Sequence, residues 1–235
     1  MAPVRRILLL LVATSATACG HNQAKPIERI QAMPPPKDDG KPAEGNNKSG
    51  NEEHAAAMEQ LKVSPTAPRD DKQSSVLVHL PDAEHWMRVR FWGVQSLVGF
   101  RYGKDHHAIV GAFVTHVPDN KVQGACSKSF EDYARPYIEN FDVNLTIQEP
   151  KAFAWQKEIV EVVVVHAKIA TMLINDEYSA AFASYPAWDN ACLIVGLAVP
   201  GRGDMDRADA VRDRFVAEVF PKVTITSKTE PKERY

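Results

Sequence analysis

No Phe, Tyr or Trp occurs before Trp86 in this chain of 235 residues. A segment without aromatic area has little apolar surface to bury, which argues against a second folded domain in the N-terminal part. Residues 20–74 add Pro34-Pro35-Pro36 and charges of both signs in Lys37-Asp38-Asp39, Glu52-Glu53 and Arg69-Asp70-Asp71-Lys72. Ordering backbone costs ~1–2 kcal/mol per residue, and such a composition offers nothing of that size in return, so a disordered tether is expected there. One patch at 52–61 has helical character, close to the length at which isolated helices are marginal.

Other absences narrow the chemistry. No apolar run reaches the ~20 residues of a membrane-spanning helix. His-x-x-x-His and Cys-x-x-Cys spacings are missing, and so are Gly-x-Ser-x-Gly and Ser-x-x-Lys. Gly201-Arg202-Gly203 lacks the third glycine of a dinucleotide fingerprint. Basic residues are not in excess: 28 Lys and Arg stand against 30 Asp and Glu. Nucleic acid is bound through clustered positive charge, so it is not an expected partner. No cofactor and no metal site are expected.

What is present begins with a leader. Arg5 and Arg6 precede an apolar run at 7–13, and Ala16-Thr17-Ala18 supplies small residues for cleavage. With Ala18-Cys19-Gly20, this stretch resembles the lipobox of bacterial lipoproteins, except that Ala16 stands where that family usually has Leu. The resemblance implies a lipidated Cys19, a membrane held through acyl chains, and an outer-membrane address if the organism has two membranes. Ala16-Thr17-Ala18 also suits ordinary signal cleavage, which would leave Cys19 unmodified. The chain has 3 cysteines. With Cys19 lipidated, Cys126 and Cys192 remain as a pair able to form one disulfide in an exported protein.

The expected organisation is a signal peptide (1–18), a lipidated cysteine with disordered linker (19–74), one domain (75–226) and a flexible tail (227–235). Strand patterns fall at 76–80, 89–98 and 108–117, with Tyr102-Gly103-Lys104-Asp105 as a turn. Phe130, Tyr133, Ala134, Tyr137, Ile138 and Phe141 then repeat at helical spacing, interrupted by Pro136. Further strands are expected at 143–148, 152–156, 159–168, 170–174 and 178–184, with Asn175-Asp176-Glu177 as a hairpin turn. Residues 191–199 are apolar without alternation, the mark of a central strand covered on both faces. Asp204 is positioned to cap a last helix burying Met205, Ala208, Val211, Phe215 and Val219, stopped by Pro221. The fold class is α+β: an antiparallel or mixed sheet with two main helices packed on it, preceded by the tether.

This order of elements, from Val76-Leu77-Val78-His79-Leu80-Pro81 through the mid-chain helix to the helix ending at Phe220, is similar to the PsbP/DcrB group. That group comprises photosystem extrinsic proteins and small bacterial lipoproteins. The resemblance implies a binding or assembly protein without a shared catalytic site.

Among polar residues, Asp105-His106-His107 with His116 is the sharpest metal-like cluster. Neighbours on a strand point to opposite faces, so His106 and His107 could share an ion only in a turn. Cys126 with His116 or His166 can be written as a thiol–imidazole pair, against a disulfide to Cys192. Surface recognition has more material: Trp86, Arg88, Arg90 and Trp92 crowd one stretch, and Trp188 follows Tyr185-Pro186-Ala187. Trp and Arg are enriched in interface hot spots. The expected function is a lipid-anchored cell-envelope protein, binding or assembling with an envelope partner without catalysis. A thiol- or histidine-dependent enzyme and a metal-handling lipoprotein are the alternatives.

Overall fold

The computed structural model describes residues 46–70, 75–89, 96–117, 126, 143–170, 175–188 and 190–230. Helix α1 (Asn46–Val63) opens the described part. Glu52, Glu53, Ala55-Ala56-Ala57 and Gln60 are strong helix formers. His54, Met58 and Leu61 repeat at helical spacing and are all buried. Pro65 follows after Ser64, where a helix cannot continue.

The chain then forms β1 (Thr66–Asp70), β2 (Val76–Pro81) and, after a short 3-10 turn, β3 (Trp86–Arg88). β4 (Ser96–Tyr102) and β5 (Ala108–His116) make the next hairpin. β6 (Val143–Ile147), β7 (Lys151–Trp155), β8 (Glu158–Ala170), β9 (Asn175–Trp188) and β10 (Ala191–Pro200) complete the long meander. Helix α2 (Met205–Arg214) continues through a π-type turn (Phe215–Val219) and a 3-10 turn (Phe220–Lys222) into β11 (Thr224–Ile225).

All pairings are antiparallel. The large sheet runs β3-β4-β5-β10-β9-β8-β6, and β7 shares the β8 edge with β6; a small sheet runs β1-β2-β11. β10 therefore sits in the middle, as its unbroken apolar sequence requires, and every residue of it is buried. One face carries Leu193, Val195, Leu197 and Val199, which join α1, α2 and the small sheet in the main core. On the opposite face Phe113, Phe182 and Ile194 are buried as well.

The α+β architecture with two helices agrees with expectation, but the helices and boundaries differ in part. α2 begins after Asp204, whose carboxylate accepts the Arg207 N–H as expected of an N-cap. The helix expected over 130–141 lies outside the described residues, as do residues 1–45 with the expected leader, Cys19 and most of the expected tether. The described fold includes residues from Asn46 onward, ahead of the expected domain start at Ser75. Met58 and Leu61 enter the main core, β1 pairs with β2, and Arg214 reaches across to the carbonyls of Leu61 and Ser64, each at 2.6 Å. These are the carbonyls that a helix leaves unsatisfied at its C-terminus.

The hairpin turn also moves. Asn175, Asp176 and Glu177 already belong to β9, paired with Ala170, Ile169 and Lys168. The expected strand at 170–174 falls, beyond Ala170, outside the described residues. Of the expected strand at 89–98, Val89 follows β3, residues 90–95 are not described, and β4 starts at Ser96. Residues 227–230 run against the sheet, with the Ser227 carbonyl accepting from Trp188 Nε1 and Glu230 meeting His116.

Candidate functional site

The residues singled out by sequence end in three places. Cys126 and Cys192 are joined as a disulfide across 66 positions of chain. With its sulfur so bonded, Cys126 is no thiol partner for His116 or His166. His116 lies instead at the far end of β5, its Nε2 2.8 Å from Glu230.

The tryptophans are mostly interior. Trp86 is 0 % exposed: its indole N–H donates to Pro81 O at 2.8 Å, and its ring lies against Tyr102 and Phe215. It has no surface to offer a partner, which corrects its assignment as a contact. Trp188 is also buried. Arg88 is exposed at the end of edge strand β3, whereas Arg90 and Trp92 lie outside the described residues.

A polar network fills the α2–sheet junction. Asp209 Oδ1 accepts from Ser179 Oγ at 2.5 Å, from Arg212 Nη1 at 2.7 Å and lies 2.7 Å from His166 Nε2. Arg212, 3 % exposed, also donates to Ser179 Oγ and to Asp213, and Lys151 meets Asp213 at 2.7 Å. Ser, His and Asp are thus together, but Ser179 donates to the carboxylate and not to the imidazole, and it is fully buried. A serine nucleophile needs its hydroxyl proton accepted by the base, with the acid behind that base. This arrangement neutralises a buried guanidinium; it does not activate a hydroxyl.

The third place is where α1 crosses the β4–β5 turn and the end of β10. His106 and His107 do lie at a turn, but they diverge. His106 (φ 53) meets Arg101 Nη1, while His107 turns inward. His107 Nδ1 lies 3.1 Å from His54 Nδ1, and His54 Nε2 lies 2.9 Å from Pro200 O. Gly103 (φ +69) seats this ring: a Cβ there would stand 2.7 Å from His107 Cδ2. Glu53 and Asp105 bring their carboxylates alongside, so that Glu53, Asp105 and His107 each have a ligand atom within 4.8 Å of the others.

Both rings are held neutral at pH 7. Burial, then the Arg202 guanidinium and the His107 ring, lower His54 to about 4. Burial and Arg202 likewise lower His107, against the raising pull of Glu53 and Asp105. Sequence reading named Asp105 and His107 but missed Glu53 and His54. The available signal was a histidine at i on the face carrying Met58 and Leu61, a polar residue where the helix is apolar.

No protein-family model matches the chain, and no curated protein matches it. Its shape is similar to that of the cyanobacterial PsbP protein CyanoP from Synechocystis sp. PCC 6803, at 12% identity and TM-score 0.47, covering 69% of this chain and 94% of that one. It is also similar to the Saccharomyces cerevisiae Ran-binding protein Mog1p, at 9% identity and TM-score 0.48, covering 70% and 97%. Likenesses at this level carry no argument about activity; the fold assignment rests on the strand order and helix placement above.

Proposed function

We propose that this chain is a lipid-anchored protein of the cell envelope whose folded part is a non-catalytic binding or assembly module for another envelope component. The observation that carries the reading is the Cys126–Cys192 disulfide. Such a bond persists in oxidising compartments outside the cytosol. It also consumes two of the 3 cysteines and leaves Cys19, the lipobox position, as the odd one. The absorption of Ser179, His166 and Asp209 into a structural network further supports binding over catalysis. Arg88 at the exposed sheet edge, with Arg90 and Trp92 following it, is the contact region of this reading; Trp86 drops out, and Trp188 contributes at most its edge.

Metabolic labelling with palmitate tests the anchor. Label is expected on the wild-type protein and absent from Cys19→Ser; no label on the wild type, or equal label on both, overturns it. Co-purification from native membranes tests the module. Recovery of an envelope partner is expected to fall with Arg88→Glu and Trp92→Ala, and recovery unchanged by both removes this edge from the contact.

A further inference from the structure

We propose that Glu53, Asp105 and His107 form a binding site for a divalent transition-metal ion, zinc in type, that pins α1 to the β4–β5 turn. The hydrogen-bond chain behind His107 decides which nitrogen is free. A carbonyl oxygen only accepts, so His54 must carry its proton on Nε2 to meet Pro200 O. His54 Nδ1 is then a lone pair, and the proton between the two rings belongs to His107 Nδ1. That leaves His107 Nε2 as a bare lone pair.

This lone pair faces acid. Its contact with Glu53 Oε1 is 4.0 Å, too long for a hydrogen bond, and Asp105 completes the group. A neutral nitrogen lone pair against two carboxylates is unfavourable by itself and becomes favourable with a cation between them. His107 is 3 % exposed and its Cδ2–Nε2 edge is seated against Gly103, whereas the two carboxylates are exposed on the side from which an ion would enter. One imidazole and two carboxylates suit zinc-like ions, with water filling the remaining position. A metal-bound imidazole normally donates its other N–H to an acceptor that fixes ring and tautomer, and His54 Nδ1 is that acceptor here. Arg202 lies nearby, its guanidinium donating to the Asp105 carbonyl, and sets one positive charge against the two carboxylates.

The ligands come from elements far apart in sequence, so binding would tie the N-terminal helix to the sheet. This does not depend on lipid at Cys19. The test titrates zinc chloride into the metal-stripped full chain in detergent, followed by calorimetry and thermal unfolding. One-to-one binding with a raised Tm is expected, retained in Cys19→Ser and His116→Ala. Glu53→Gln and Asp105→Asn, both on exposed side chains, should each weaken it about tenfold or more, and His54→Gln about 10–100-fold. Long-range nitrogen–proton spectra should show His107 protonated on Nδ1 without metal, with zinc shifting Nε2. No binding to the wild type, binding unchanged in the Glu53→Gln/Asp105→Asn double variant, or His107 protonated on Nε2 in the metal-free protein would each overturn the site.

Discussion

His54 illustrates how one side chain links packing to pH. Its folded pKa is about 4 against 6.5 for an ordinary histidine. As pH falls, the unfolded chain therefore takes up the proton first. The stability held by neutral His54 is complete above pH 6.5 and is lost as pH falls from there towards 4. For metal-free protein, urea unfolding at pH 7 and pH 4.5 should differ by about 2–3 kcal/mol more in the wild type than in His54→Gln. An equal pH dependence would refute this. Arg212 carries a buried charge. Truncating it removes the buried cation paired with Asp209 and the donor to Ser179 Oγ, leaving the Asp209 carboxylate only Ser179 and His166, so Arg212→Ala should cost about 3–5 kcal/mol. A loss under 1 kcal/mol in denaturant titration would show the network to be slack. The burial of Arg212 was not legible in the sequence: a guanidinium on an amphipathic helix usually reaches solvent. Trp86 failed in the opposite sense, because three-residue strand β3 carries no alternation from which its inward direction could be read.

At the scale of elements, the long strands were legible because each has either alternation or an unbroken apolar run. β10 needed only its composition, and α2 its Asp204 cap and apolar spacing. α1 was not legible as part of the fold. Its buried face is His54, Met58 and Leu61 without an aromatic, too little to stabilise a helix alone. Arg214, some hundred and fifty positions away, supplies the missing hydrogen bonds at its C-terminus. Arg214→Ala is therefore expected to speed amide exchange across α1 while leaving β10 protected, as seen by native-state hydrogen exchange. Uniform exchange in both would mean that α1 and the sheet open together. The β8–β9 turn was misplaced for a related reason: Asn175-Asp176-Glu177 has turn chemistry, but the ladder of thirteen-residue β8 extends past it.

For the whole molecule, the disulfide closes a loop of 66 positions between Cys126 and the central strand. Its removal as Cys126→Ala/Cys192→Ala should lower stability by up to about 4 kcal/mol, by the entropy of that loop in the unfolded chain. Reductant should do the same to the wild type and nothing to the double variant. Composition and apolar periodicity determined by themselves the α+β class, the central position of β10 and the cap of α2; cysteine counting, once the lipobox resemblance set Cys19 aside, determined the pairing of the other two. These depend on local pattern or on counting, which need no partner in space. The inclusion of α1 in the fold, which of the described tryptophans are interior, and the meeting of Glu53 with Asp105 and His107 were decided only by tertiary structure. Each depends on side chains brought together across long stretches of sequence, and the free energy that fixes them exists only once the helix, the turn and the sheet are in contact.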